Sequence, residues 1–121
     1  MTVLAAILIA VTALLHVWFL ALEMFLWQRP LGMRTFRLTP EVARTTATLA
    51  ANQGLYNGFL AAGLIWSLLA AEPPGFQLRV FFLACVIVAA IYGAATVQRG
   101  ILFVQGLPAA LALAAVLLSR V

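Results

Sequence analysis

The sequence has no lysine, a single cysteine and very few charges of either sign. Only 8% of its 121 residues are charged, while 66% are hydrophobic. A soluble domain of this size could not cover itself with so little charge, whereas a small helical membrane protein needs little. All seven cations are arginine and the pI is about 10.7, a pattern suited to charge held at membrane edges. The arginines form no stripe interleaved with exposed aromatics, which argues against a nucleic-acid face. Cys85 stands alone in an apolar run, so there is neither a disulfide framework nor a thiolate metal cluster. It reads as a small buried hydrophobe. The N-terminus lacks the basic region of a signal peptide, and its apolar run is too long for one, so it is read as a retained helix.

Enzyme signatures are scarce too. There is no glycine-rich phosphate loop, no cysteine pair for quinone-linked disulfide chemistry, no HExxH and no serine near a base. A Glu–His–Tyr acid/base set is the one catalytic combination left open. A lone histidine cannot build a structural metal site, and no cofactor is implied.

What is present is four apolar segments, each near the ~20 residues that cross a hydrocarbon core. They predict helices over about 3–27, 41–71, 76–97 and 101–118 in one all-α, four-helix transmembrane domain spanning 1–121. Thr39-Pro40-Glu41 reads as a helix start, with Thr39 as cap and Pro40 at the first helical position. Glu72-Pro73-Pro74-Gly75 is a break, and Gln98-Arg99-Gly100 a tight connection. Pro108 frees the carbonyl of Val104 and predicts a kink in the last helix. Arg29, Arg34, Arg37, Arg44 and Arg99 fall on one side, Arg79 and Arg120 on the other. That bias places both termini outside a bacterial inner membrane and the first and third connections in the cytoplasm.

The stretch from Leu49 to Leu60 organises the rest. On a helical wheel Asn52, Gln53, Tyr56 and Asn57 share an arc about 140° wide. Beside it runs a small-residue ridge, Ala50-Gly54-Gly58-Ala62, where another backbone can approach closely. Gly54 and Gly58 are therefore assigned to helix packing. On the first helix His16, Glu23 and Trp27 share a face at spacings of seven and four. On the third, Tyr92, Thr96 and Arg99 do the same, and Gln105 opens the fourth. Threaded through the predicted topology, these groups gather in the cytoplasmic leaflet, leaving little beyond Thr12 and Ser67 towards the other face. A Glu23–Arg99 ion pair is expected, the alternative being that Arg99 snorkels to phosphates. Polar side chains at such depth face protein or a wet cavity, so all eleven are candidates for lining a ligand pocket. Hydrogen bonding between helices is the competing account, though four such groups on one helix exceed what packing requires.

Glu23-Met24-Phe25-Leu26-Trp27, the Asn52-Gln53-Gly54-Leu55-Tyr56-Asn57-Gly58 block, Tyr92-Gly93-Ala94-Ala95-Thr96-Val97 and Phe103-Val104-Gln105-Gly106-Leu107-Pro108 extend across nearly the whole chain. Together they resemble the bacterial integral-membrane family catalogued as domain of unknown function 1304. The resemblance implies a small four-helix membrane protein and transfers no mechanism. The residues themselves point to a protein of the lipid bilayer that binds a small amphipathic molecule, such as a lipid, isoprenoid or quinone, in a cytoplasm-facing polar pocket. A homo-oligomeric transporter or channel subunit using the glycine ridge, and a structural subunit of a larger membrane complex, are the competing readings.

Overall fold

The computed structural model describes residues 1–120, and every regular element among them is helical. In chain order these are α1 (Val3–Met24), α2 (Pro30–Phe36), α3 (Pro40–Leu69), α4 (Pro74–Thr96), a π-helical turn over Leu102–Gly106, and α5 (Leu107–Leu118). Of the four spans the sequence predicts, α1 and α4 are long and apolar enough to cross a membrane by length and composition. The 30-residue α3 is diluted by Glu41, Arg44, its threonines and its amides, and the last apolar stretch is shorter. Within the chain 28% of the apolar stretch of α1 and 22% of that of α4 are buried.

Helix ends follow from local chemistry. α1 stops at Met24 rather than near Trp27, and the chain turns back at once into α2. Pro30 has no N–H to lose at a first helical position, so it starts α2. Arg37 closes α2 with left-handed backbone at φ 54°, and the Leu38 N–H bonds the Met33 carbonyl at 2.8 Å. Thr39 caps α3 by accepting the Val42 N–H at 3.2 Å. Glu72 does the same for α4, accepting the Phe76 N–H at 3.0 Å. The disturbance expected from Pro108 takes the form of a π-turn just before it, where the Leu107 N–H reaches back five residues to Leu102.

The chain divides into two compact units whose boundaries fall inside α1 and α3. One comprises Met1–Leu15 together with 60–120. Its core takes Ala5, Ile9 and Ala13 from α1, Leu64 from α3, Leu83 and Val86 from α4, and Ala109, Ala112 and Val116 from α5. The α4 and α5 positions recur at three and four, the spacing of one helix face. α4 meets the π-turn closely: a Cβ on Gly106 would lie 3.2 Å from Ala90 Cβ.

The second unit is His16–Phe59. Its buried positions include Leu22 and Glu23 on α1 and Ala43, Ala50, Gly54 and Asn57 on α3. A Cβ on Gly54 would sit 2.7 Å from Met24 Cγ and 3.0 Å from Glu23 Cβ, and one on Gly58 would sit 2.6 Å from Leu20 Cδ1. The glycine ridge is thus filled by α1 of the same chain. At Gly32 a Cβ would overlap the Leu26 carbonyl, so α2 lies directly on the end of α1.

Candidate functional site

In the second unit, close approach of α1 to Gly54 brings Glu23 beside Asn57, one turn further along α3. Asn57 Nδ2 donates to Glu23 Oε1 at 2.9 Å, with both residues buried. The partner the structure shows for Glu23 is thus an amide, where the sequence reading expects Arg99. The carboxyl takes an amide as partner because the ridge presents Asn57 there, and Arg99 is exposed. An amide neutralises no charge, so Glu23 remains an acceptor with no hydrogen bond from a guanidinium.

The other candidates in this unit separate by side of the helix. His16 is buried, with its ring edge-on to Phe19 at 6.0 Å. Trp27 is half-buried and fastens the α1–α2 turn to α3: its Nε1 donates to Thr46 Oγ1 at 3.0 Å, and its ring lies 4.8 Å from that of Phe36. Asn52, Gln53 and Tyr56 are exposed, and the Tyr56 ring stands edge-on to Phe59 at 5.7 Å. The polar arc read from the wheel therefore has one buried edge, Asn57, and an open remainder. Gln53 lies about 40° from Asn57 around the helix, so polar surface continues from the buried bond outwards.

In the first unit, Tyr92, Thr96 and Arg99 are exposed, and Thr96 Oγ1 bonds its own helix at the Tyr92 carbonyl, 2.7 Å away. Gln105 is half-buried on the π-turn. A second polar centre lies where the sequence reading expects little. Arg79 is 3% exposed; its Nη1 donates to the Ser67 carbonyl at 3.0 Å and its Nη2 pairs with Glu72 Oε1. Ser67 itself bonds the Leu64 carbonyl, as a back-bonding serine should. A topology tally counts Arg79 as an edge charge. Its place on the first turns of α4, facing Gly75, instead folds it inwards. A signal was present: Glu72 precedes the Pro-Pro-Gly break, and a carboxylate there caps the next helix within reach of its first inward cation.

Around this pair is a recess of ≈ 180 Å³, lined among others by Glu72, Phe76, Arg79, Ser119 and Arg120. None of the eleven predicted residues lines it. Desolvation is the largest single influence on the Glu72 carboxyl and raises it, but the Phe76 N–H and the Arg79 guanidinium together outweigh it and hold the group below the usual carboxylate range. No group of three or more His, Cys, Asp or Glu among the described residues could hold a metal ion.

The family model described as "Protein of unknown function (DUF1304)" matches residues 10–117. The chain is also similar to a protein from Lactococcus lactis subsp. lactis (strain IL1403), named "Uncharacterized protein YpaA". The two are 33% identical over 117 residues, covering 93% of this chain and 96% of the relative. No solved structure matches.

Proposed function

Because the chain belongs to the family of unknown function DUF1304, which brings no activity with it, we propose a function from the site itself. The protein is a four-span bacterial inner-membrane protein, both termini outside, that binds one small amphipathic molecule, such as a lipid, isoprenoid or quinone, at the polar face of α3. The observation that carries this reading is the buried Glu23–Asn57 hydrogen bond, continued outwards by exposed Gln53, Tyr56 and Asn52. Ionised side chains cost about 2.5–3.5 kcal/mol at a span centre and less towards its end, where Glu23 lies as the last residue but one of α1. A carboxyl kept there without a cation is characteristic of a binding or relay site. The open amides and phenol supply donors for a polar head, and the neighbouring apolar surface suits a tail.

Native mass spectrometry of the protein, extracted gently from its own membrane, tests this. The expected result is a monomer carrying one lipid-like mass, lost in Asn52→Ala and Glu23→Gln while both variants stay folded. If both unfold as badly as Gly58→Leu, the residues are structural and the proposal is wrong.

A homo-oligomer is the second reading, favoured by the same exposed face. Its pathway would not follow the glycine ridge, which α1 fills. A dimer or larger assembly without a bound small molecule would select it.

A further inference from the structure

The recess at Glu72 and Arg79 lies apart from the α3 polar face in sequence and chemistry, and the proposed function does not use it. We propose that it binds a phosphate-type oxyanion, held between the guanidinium groups of Arg79 and Arg120.

Four observations carry this. The recess of ≈ 180 Å³ exceeds the ~150 Å³ that admits a benzene ring, so a phosphate group fits. Two guanidiniums border it against one carboxylate. The Arg79 side chain is 4% exposed, and its Nε has no hydrogen-bond partner although it is buried. An orphaned N–H of a buried cation is costly, and the guanidinium that carries it lines the recess, where an oxyanion can meet its charge. Finally, Arg120 is already placed: its guanidinium carbon lies 3.6 Å over the Phe76 ring centroid. Stacking uses the guanidinium face and leaves the edge N–H groups to meet an anion in the plane.

Gly75 makes the arrangement feasible. A Cβ there would lie 3.3 Å from both Nη atoms of Arg79 and 2.6 Å from the Ala70 carbonyl. Without it the guanidinium lies against backbone at the very start of α4. If α4 and α5 cross a bilayer, this end of each helix reaches the headgroups, whose phosphodiesters supply the anion. That source rests on the membrane reading, which carbonate extraction of native membranes tests separately. Inorganic phosphate is the other source of the same chemistry.

The full chain in dodecyl maltoside decides between them. Phosphatidylglycerol and phosphatidylcholine are titrated in and retention is read by native mass spectrometry. In parallel, the melting temperature is followed with inorganic phosphate at constant ionic strength. Arg120 is exposed, so Arg120→Gln should fold normally and weaken anion binding about tenfold, the loss of one charge-assisted contact. Glu72→Gln keeps an acceptor for the Phe76 N–H but releases Arg79, and should strengthen binding several-fold. Preference for phosphatidylglycerol that disappears in Arg120→Gln supports the site with a headgroup as its occupant. A phosphate-dependent rise in melting temperature, lost in the same variant and without lipid preference, supports the site with a free anion. Binding insensitive to Arg120→Gln, or weakened by Glu72→Gln, overturns the proposal.

Discussion

At the scale of single residues, the Glu23–Asn57 bond separates burial from charge. Glu23→Gln keeps an acceptor for the Asn57 amide, so stability should change by less than about 1 kcal/mol. Asn57→Leu removes the donor and strands a buried carboxyl, at a cost of about 2–3 kcal/mol. Denaturation of both variants in the same detergent checks the difference; equal losses would mean that the bond is incidental to packing. Glu72 gives a second residue-scale prediction. Its carboxyl is held below the ordinary value of 4.5 in the folded protein. The contribution is therefore fully present above the unfolded value and is lost as pH falls through the folded one. Melting temperature should fall on acidification below about pH 4.5, and Glu72→Gln should flatten that fall. A variant as acid-sensitive as the parent would remove Glu72 as the cause. The sequence made Glu23 and Asn57 both visible as candidates, but not as a pair. Charge complementarity suggested Arg99, whereas the decisive factor was the missing side chain of Gly54, which no charge count registers.

Helices are the scale at which the sequence was most legible. Apolar length and the Pro-Gly breaks mark the long helices because those signals are local and strong. α2 is not legible in the same way, since Pro-Leu-Gly-Met-Arg-Thr-Phe has no side-chain cap and Pro30 looks like the end of what precedes it. The π-turn is hidden for a different reason: Pro108 announces a lost donor but not how the backbone before it will redistribute its bonds. The ridge supplies a graded test. At Gly58 an added methyl meets the mobile end of Leu20, whereas at Gly54 it meets Glu23 Cβ and also the Leu20 carbonyl at 3.3 Å. Gly58→Ala should cost less than about 1 kcal/mol and Gly54→Ala about 1–3 kcal/mol, the range for overpacking a tight site. If Gly58→Ala proves the worse, α1 does not seat on the ridge as described.

At the scale of the whole molecule, the sequence established an all-helical chain, and composition did so before any motif was read. Four spans and their orientation remain a proposal with a direct test. Alkaline phosphatase fused after Arg120 should be active, and a fluorescent protein fused there should stay dark. The reverse pair of results would invert the topology. The apolar sides of α1 and α4 carry large exposed side chains, among them Leu14, Phe81 and Val88, which fits helices solvated by lipid.

The short helix α2 has a consequence for the lifetime of the protein. The segment holding Arg29, Arg34 and Arg37 is read as a cytoplasmic connection, and such connections are where proteases usually nick a membrane protein. Here Arg34 is inside a helix and Gly32 lies on the carbonyl of Leu26, with no gap between α2 and the turn it covers. Proteases bind extended chain, so trypsin should cut after Arg34 slowly in the native protein and quickly in Gly32→Val. What a cellular protease meets at Arg34 is backbone that must first unwind, and cleavage there is set by the free energy of opening α2.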